Sequence, residues 1–217
     1  MKSKTLTFLF FQVLIVFSAL SQKSYQNHYI GEKYGGGIVF HLWVDTLGKQ
    51  HGLVVYPKNN ISGYFENNGK RYATDRFYWS NVQNKRVNSS KMSSNGLENS
   101  NQIVTQRGHQ QSASQVCLDF NYGGYSDWYL PSVDELLILY NVKNTIYYSM
   151  YDYFGGIDYQ YVGVPSDCTG TPKGENTDYI TSTEYNESQA YGFDFYLGKV
   201  NLIEKSSFRY IRPIRSF

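Results

Sequence analysis

The pattern of apolar and polar positions predicts two amphipathic helices in the middle of the chain. The spacing i, i+3, i+4, i+7 places side chains on one helical face. It occurs at Ala113, Val116, Cys117 and Phe120, and again at Val133, Leu136, Leu137 and Tyr140. Gly123 and Gly124 then act as the stop signal of the first helix. The two helices are therefore separated by a short connection.

The start of the second helix carries a strong local signal. Ser132 is a favoured N-cap residue, and Glu135, three positions later, completes a capping box. Trp128 lies too close to this helix start to stand free in solvent. Pro131, just before the cap, is expected to pack on Leu136 one turn into the helix, as in a hydrophobic staple. We interpret these residues as structural rather than as a ligand site.

Alternating apolar positions predict strands on both sides of the helical region. The predicted strands are Ile38–Val44 and Gly52–Tyr56, which form a hairpin, and later Tyr179–Thr183, Ala190–Leu197, Val200–Ile203 and Phe208–Ile214. The first strand has apolar side chains on both faces, which is typical of a central strand. Strands at both ends with helices between them predict an α+β domain whose termini share a sheet.

The segment 59–95 is polar and rich in Asn, Ser, Lys and Arg, and we interpret it as a solvated loop region. Its aromatic cluster, Phe77-Tyr78-Trp79, is the exception and is expected to pack on the core.

The N-terminus has the features of a secretory signal. Lys2 and Lys4 precede an apolar run that ends near Leu20, and Ala19-Leu20-Ser21 fits a cleavage site. We predict residues 1–21 as a signal peptide and 22–217 as a single domain, with the mature protein extracellular or periplasmic. The alternative is an uncleaved membrane anchor, for which the run is short.

Charge and motif content narrow the function classes. The chain has 20 basic and 18 acidic residues, and the leader removes two lysines, so the remaining chain is balanced. Nucleic-acid-binding proteins usually carry an excess of basic residues, which this chain lacks. The sequence has no G-x-S-x-G, H-E-x-x-H or phosphate-loop motif. We therefore expect a protein that is not an enzyme and needs no cofactor.

Cys117 and Cys168 are the two cysteines of the chain. An exported protein with two thiols usually pairs them, so we predict a Cys117–Cys168 disulfide, with two buried free thiols as the alternative. Neither cysteine has a second ligand at zinc spacing, so no metal site is expected.

The Tyr-rich segment 144–163 is the candidate ligand-binding region. Neither a helical nor a strand period fits it throughout, and we interpret it as an irregular loop. Rigid aromatic rings among Gly, Ser and Asp are typical of binding loops; the alternative is that the rings cover the core. The candidate binding residues are Tyr147, Tyr148, Tyr151, Tyr153, Asp158, Tyr159 and Tyr161.

Two further ligand classes depend on charged residues. Five acidic residues near the Tyr-rich segment could indicate a calcium site, namely Asp152, Asp158, Asp167, Glu175 and Asp178. They do not follow the ligand spacing of an EF-hand loop. We therefore expect that the protein does not require calcium. A sulfated glycan could be bound by basic residues near the C-terminus, namely Lys199, Lys205, Arg209 and Arg212.

An ordered set of motifs resembles a known family. The most specific stretch is Gly124–Ser132 (GYSDWYLPS) followed by Glu135-Leu136. Further motifs are Tyr34–Phe40 (YGGGIVF), Gln50–Val55 (QHGLVV), Asn95-Gly96 with Asn101, Ile103, Ala113 and Cys117, Thr181–Glu184 (TSTE), and Tyr210–Arg215 (YIRPIR). In this order they resemble the C-terminal domain of the Legionella collagen-like adhesin, over about residues 30–217. Residues 62–94 and the Tyr-rich segment then look like variable insertions.

The resemblance implies a fold and a function class. The family is similar to C-type-lectin-like folds, which implies a twisted antiparallel sheet, two flanking helices and long irregular loops. Its members are regarded as adhesion or glycan-binding modules of secreted bacterial proteins. A relative of the same fold class is the formylglycine-generating enzyme, whose Leu-Pro-Thr stretch is similar to Leu130-Pro131-Ser132, but that chemistry needs a reactive cysteine pair.

We therefore expect a secreted, non-enzymatic binding or adhesion module that recognises a surface glycan or a protein through the Tyr-rich segment. The alternative of a different class is a structural surface protein that assembles into homo-oligomers through its aromatic surface. A further alternative hypothesis, less favoured than these two, is an enzyme related to the formylglycine-generating type.

Overall fold

The computed structural model describes residues 27–57, 63–67, 70–74, 76–87, 94–153 and 178–217. For residues 63–67, 70–74 and 150–153 it describes the backbone alone. The predicted signal peptide lies outside the described residues.

All strand pairs with a recorded register are antiparallel. The strands are β1 (Lys33–Tyr34), β2 (Gly37–Val44), β3 (Gln50–Val55), β4 (Gly63–Asn67), β5 (Lys70–Thr74), β6 (Tyr179–Glu184), β7 (Gln189–Asp194), β8 (Lys199–Glu204) and β9 (Ile214–Ser216). The helices are α1 (Gly96–Val104), α2 (Ala113–Leu118), α3 (Val133–Asn141) and α4 (Lys143–Tyr153).

The first sheet joins the two ends of the described chain. Its order is β1-β2-β3-β9, so the predicted hairpin is present and β2 is a central strand. Val54 of β3 pairs with Arg215 of β9. The prediction that the N-terminal and C-terminal strands share a sheet is confirmed.

The second sheet has the order β6-β7-β8, close to the strands predicted in the last part of the chain. The last predicted strand begins later than expected. Its first part makes single bridges, from Arg209 to Phe77 and from Tyr210 to Tyr179, because it crosses between the two sheets before β9 begins.

The polar segment contains structure that its composition did not predict. Strands β4 and β5 pair as a separate hairpin, from Gly63 opposite Thr74 to Asn67 opposite Lys70. The expectation of a solvated loop is therefore wrong for this part. The expectation for the aromatic cluster is confirmed, because Phe77 and Trp79 are buried.

The helical region begins earlier than the apolar spacing predicted. Helix α1 is capped by Asn95, whose side chain accepts a hydrogen bond from the backbone N–H of Glu98. Its few buried residues include polar Asn99 and Ser100, so it lacks an apolar stripe. Helix α2 is the first predicted helix, and its N-cap is Ser112.

The buried side chains form two clusters, one on each face of the β2–β3 hairpin. One cluster includes Ile38 and Leu53 with α3 and α4, and the other includes Val39 and Val54 with Trp79 and Trp128. Apolar groups on both faces of β2 are thus explained by burial on both sides. The α+β class is confirmed.

Cys117 is a free, fully buried thiol in the described structure. Its helix face packs beside Ile103 and Trp128 in the second cluster. The predicted disulfide to Cys168 is therefore not confirmed, and Cys168 lies outside the described residues.

Across the part of the chain that the structure describes, no helix combines the length and the apolar character that crossing a bilayer requires.

Candidate functional site

The most specific sequence motif is held in place by one arginine. Arg215 of β9 donates hydrogen bonds from Nε and Nη2 to the Asp127 carboxylate, over 2.6 and 2.8 Å. Its Nη1 donates to the Gly35 carbonyl oxygen, and the guanidinium lies 4.0 Å from the centroid of the Tyr125 ring. A bidentate pair fixes orientation as well as distance. Arg215 therefore joins the motif around Trp128 to the β1–β2 turn, which is a structural role.

Hydrogen bonding and charge from Arg215 lower the pKa of Asp127. A carboxyl group whose pKa is lowered by folding stabilises the protein above its unfolded pKa, and the stabilisation is lost as the pH falls through the folded pKa. We expect Asp127→Asn to lower the melting temperature at pH 7. The deficit should shrink below the normal aspartate pKa of 3.8.

Melting curves from pH 7 down to pH 3 test this expectation. Asp119→Asn, which removes a carboxylate bonded to Gln115 rather than to an arginine, is the control. A deficit for Asp127→Asn that stays constant with pH would show that the ion pair contributes nothing.

Glu135 connects three elements next to the motif. Its Oε2 accepts from the backbone N–H of Ser132 over 2.7 Å and from that of Gly96 over 3.1 Å, and its Oε1 accepts from the Tyr129 hydroxyl over 3.0 Å. The capping box with Ser132 is confirmed. Burial raises the pKa of Glu135 against these hydrogen bonds. One carboxylate thus serves the N-termini of both α1 and α3.

The residues predicted as structural are buried together around this connection. Trp128 is fully buried and donates from Nε1 to the Tyr125 carbonyl oxygen. The Pro131 carbonyl accepts from the Ser182 N–H of β6, and Leu136 is fully buried in the first cluster. The motif holds the helices against the sheet.

The Tyr-rich segment starts as a helix, not as a loop. Helix α4 runs through Tyr153, and Ile146 is buried in the first cluster. The interpretation as an irregular loop is therefore wrong for residues 144–153. A signal was present, because Ile146, Met150 and Tyr153 follow the i, i+4, i+7 spacing of one helical face.

Two of the candidate tyrosines are described as a pair on α4. Tyr147 is partly buried against the first cluster, whereas Tyr148 is 67% exposed. Their ring centroids lie 5.3 Å apart at an interplanar angle of 58°. We call Tyr147 and Tyr148 the tyrosine pair. Its inner ring is anchored by the core, and its outer ring faces solvent.

The side chains of the remaining candidates are not among those that the structure describes. The backbones of Tyr151 and Tyr153 lie on α4, without described side chains. Asp158, Tyr159 and Tyr161 lie outside the described residues.

A second group of aromatic rings with an exposed member lies on the β2–β3 hairpin. It was not predicted from the sequence. Trp43 is 41% exposed, and its ring lies 5.6 Å from the rings of both His41 and His51. We call these three residues the hairpin ring row. His41 is opposite Leu53, whose side chain packs in the cluster that α4 covers. The row therefore lies on the same side of the hairpin as α4.

The hairpin turn beside this row is internally bonded. Asp45 Oδ1 accepts from the backbone N–H groups of Leu47 and Lys49, and Oδ2 lies 3.0 Å from His51 Nε2. The hydrogen bond with His51 is the main cause that lowers the pKa of Asp45. Partial burial lowers the pKa of His41. Alternation predicted the strand, but nothing local showed that the Trp43 ring would remain exposed.

The basic residues considered for sulfated glycans do not form one surface patch. Lys205 and Arg212 are buried, and Lys205 is paired with Glu184. Arg209 is largely buried, with Nε 3.8 Å from Asp178 Oδ2. Of this set Lys199 is exposed. The prediction that these four residues form one basic surface is therefore wrong, because Lys205, Arg209 and Arg212 are buried or largely buried.

Among the residues that the structure describes, no group of three or more His, Cys, Asp or Glu side chains could hold a metal ion. Of the acidic residues considered for calcium, Asp178 accepts a hydrogen bond from Asn201 over 2.8 Å. The side chains of the other four are not described.

Comparison with known proteins identifies the family to which the chain belongs. None of the curated proteins compared with the chain matches it. The profile of a family described as the Lcl C-terminal domain, named after the Legionella collagen-like protein, matches residues 73–215, about two thirds of the chain. The matched range includes Asp127, Arg215, Glu135 and α4, whereas the hairpin ring row precedes it. The chain belongs to the Lcl C-terminal domain family.

Proposed function

We propose that this protein is a secreted, non-enzymatic binding or adhesion module that recognises a surface glycan or a protein through the Tyr-rich face of α4. The observation that carries the proposal is the tyrosine pair, in which a 67% exposed ring is held against a partly buried one.

The physical argument concerns the entropy of binding. A tyrosine side chain has few rotatable bonds and offers a large amphipathic surface. Tyr147 is held by the core, and its ring contact restricts Tyr148 before any ligand arrives. A ligand that stacks on Tyr148 then loses less free energy in ordering the site than it would on a mobile side chain.

The hairpin ring row supports the same assignment. It adds an exposed Trp43 ring on the side of the hairpin that α4 covers. The ring nitrogens of His41 and the Nδ1 of His51, whose Nε2 contacts Asp45, add hydrogen-bonding groups at its border. Aromatic surface beside polar groups suits sugar rings as well as peptide side chains.

Family and fold agree with this proposal. The family takes its name from a bacterial surface protein, which supports export by the predicted signal peptide. Antiparallel sheets, helices packed against them and a sheet that contains both the first and the last described strands support a C-type-lectin-like fold.

A non-enzymatic role is supported by the state of Cys117. Complete burial raises the pKa of its thiol far above neutral pH. The thiolate is the reactive form of cysteine, so this burial supports a packing role for Cys117 and counts against a reactive sulfur of the formylglycine-generating type at this position.

Replacing Tyr148 by alanine tests the proposal. We expect Tyr148→Ala to weaken ligand binding at least about tenfold, or about 1.4 kcal/mol, because it removes the exposed ring of the pair. The melting temperature should change little, because most of the Tyr148 side chain is already in solvent. Binding is measured by surface plasmon resonance on the chain from residue 22 onward.

Tyr185→Ala is the matched control, because it removes an exposed ring in the β6–β7 turn. Its affinity should equal that of the wild type. Equal affinities for the Tyr148→Ala variant and the wild type would remove α4 from the binding surface.

A further inference from the structure

Three large apolar side chains are exposed at the end of the β2–β3 hairpin. Trp43 is 41% exposed, Val44 is 62% exposed and Leu47 is 85% exposed. Single exposed apolar residues are common on protein surfaces, whereas a group of them at one place indicates a contact surface. We call residues 43–49 the hairpin tip.

The three apolar side chains of the hairpin tip point in different directions. Trp43 pairs with His51, and Val44 pairs with Gln50 in the same register. Successive residues of a strand project to opposite faces of the sheet, so Trp43 and Val44 lie on opposite faces of the hairpin, and Leu47 lies in the turn between the strands. A rigid partner docked on one face would leave the other face in water, whereas a fluid apolar medium around the tip covers all three side chains.

The backbone of the turn is bonded in a way that suits an apolar medium. Several of its N–H groups have acceptors within the turn itself, namely those of Asp45, Leu47, Gly48 and Lys49. A backbone N–H group without an acceptor is strongly unfavourable in hydrocarbon. The internal hydrogen bonds therefore lower the free-energy cost of moving the turn out of water.

The charges of the hairpin tip fit an anionic lipid surface. Asp45 is the acidic residue of the tip, and its carboxylate accepts from two backbone N–H groups and lies 3.0 Å from His51 Nε2. The backbone N–H of Asp45 donates to the Lys49 carbonyl oxygen, so the two residues lie level with each other at the base of the turn. Lys49 is exposed, and its ammonium group complements the phosphate of a lipid headgroup.

We propose that the hairpin tip inserts into the surface of a lipid bilayer that carries anionic headgroups. Leu47 enters the acyl boundary, and Trp43 lies at the level of the headgroups, where tryptophan is enriched in membrane proteins. A strand advances about 3.3 Å per residue, so the part of the tip beyond Trp43 reaches at most about 10 Å, which matches the depth of interfacial segments. The proposal does not rest on the proposed function, in which Val44, Leu47 and Lys49 take no part.

Vesicle binding followed by tryptophan fluorescence tests the proposal. The protein from residue 22 onward, which lacks the apolar leader, is mixed with vesicles of phosphatidylcholine and phosphatidylglycerol in equal parts. Trp79 and Trp128 are fully buried, so Trp43 is the tryptophan whose emission should respond. We expect co-sedimentation with the vesicles, a blue shift of the emission, and quenching by lipids that are brominated near the headgroup end of their acyl chains.

Two variants of the tip separate its apolar and electrostatic contributions. Leu47→Ser should weaken vesicle binding at least about tenfold, because it removes the apolar side chain at the apex. Lys49→Gln should weaken binding to these vesicles about fivefold and leave binding to phosphatidylcholine alone unchanged. Leu197→Ser, at a 64% exposed position in the β7–β8 turn, is the matched control and should bind like the wild type. Tyr148→Ala should also bind vesicles like the wild type, which separates this proposal from the role of α4.

Several results would overturn the proposal. They are a wild type that does not bind the mixed vesicles, a Leu47→Ser or Lys49→Gln variant that binds them like the wild type, and equal losses in Leu47→Ser and Leu197→Ser. Vesicle binding without a change in tryptophan emission would also overturn it, since the protein would then attach through another surface. Sedimentation velocity without lipid tests the other occupant: a dimer that Leu47→Ser abolishes, in a protein that does not bind vesicles, would assign the tip to a second copy of the chain.

Discussion

Replacing Lys205 by methionine is expected to lower the free energy of unfolding by about 3–5 kcal/mol. Lys205 Nζ and Glu184 Oε1 lie 2.6 Å apart, and both side chains are completely buried. Removing the ammonium group would leave the Glu184 carboxylate charged inside the protein. A buried charge without its counterion is among the most destabilising defects that a single substitution can produce.

The surroundings of the pair explain why it is tolerated in the wild type. Lys205 Nζ also donates to the Lys85 carbonyl oxygen and lies 4.4 Å from the Trp79 ring centroid. Glu184 Oε1 also accepts from the Val87 backbone N–H. Burial lowers the pKa of Lys205, while Glu184 opposes this shift. The pair thus joins β6, the end of β8 and the segment around residue 85.

Urea unfolding of three variants measures the effect. Lys205→Met should lose about 3–5 kcal/mol, whereas Lys205→Met combined with Glu184→Gln should recover much of this loss, because glutamine keeps an acceptor for Val87 and carries no charge. Lys199→Met, on the exposed start of β8, is the control and should stay within about 0.5 kcal/mol of the wild type. A Lys205→Met variant with wild-type stability would show that the carboxylate is not buried as a charge.

Replacing Glu135 by alanine is the second change with a large expected effect, about 3–5 kcal/mol of unfolding free energy. The substitution would leave the N–H groups of Ser132 and Gly96 and the hydroxyl of Tyr129 without their acceptor. Each buried polar group left unsatisfied costs about 1–3 kcal/mol. Removing the buried carboxylate relieves part of this sum, because its charge is itself unfavourable there.

Glu135→Gln separates hydrogen bonding from charge. Glutamine can accept from both N–H groups and can donate to the Tyr129 oxygen, so we expect a loss of about 1 kcal/mol or less at pH 7. The wild-type pKa is raised by burial, so the stability contribution of Glu135 is complete below the unfolded pKa and declines as the pH rises through the folded pKa. The difference in unfolding free energy between the wild type and the glutamine variant should therefore become smaller as the pH rises. An alanine variant as stable as the glutamine variant would refute the connecting role.

Local signals in the sequence predicted local structure. The two residues of the capping box, Ser132 and Glu135, are three positions apart, and their side chains bond within one helical turn. The β2–β3 hairpin was equally readable, because its strands are joined by a short turn with Gly48. The burial of Trp128 followed from its nearness to the helix start.

Contacts distant in sequence could not be predicted in the same way. The third partner of Glu135 is Gly96, 39 residues earlier, and the counterion of Lys205 lies 21 residues away on another strand. A lysine looks like a surface residue until its partner is known. Lys205 was therefore assigned to a basic surface, although it is enclosed by the fold.

The tyrosine content of the sequence indicated where the candidate site lies, but not that part of it is a helix. Its many tyrosines hid the helical spacing of Ile146, Met150 and Tyr153, so α4 was taken for a loop. Trp43 was missed because strand alternation does not show where a covering helix ends. Exposure of Trp43 and Tyr148 depends on the packing of α4 against β2, which is a tertiary property.

The most direct test of the proposed function is a combined array of surface glycans and extracellular proteins. It is probed with the wild type and with Tyr148→Ala in parallel, each with calcium and with a chelator. We predict a saturable wild-type signal that is lost in Tyr148→Ala, kept in Tyr185→Ala and unchanged by the chelator. Equal signals from the wild type and Tyr148→Ala, or no saturable signal from the wild type on any ligand, would contradict the assignment of α4 as a recognition surface.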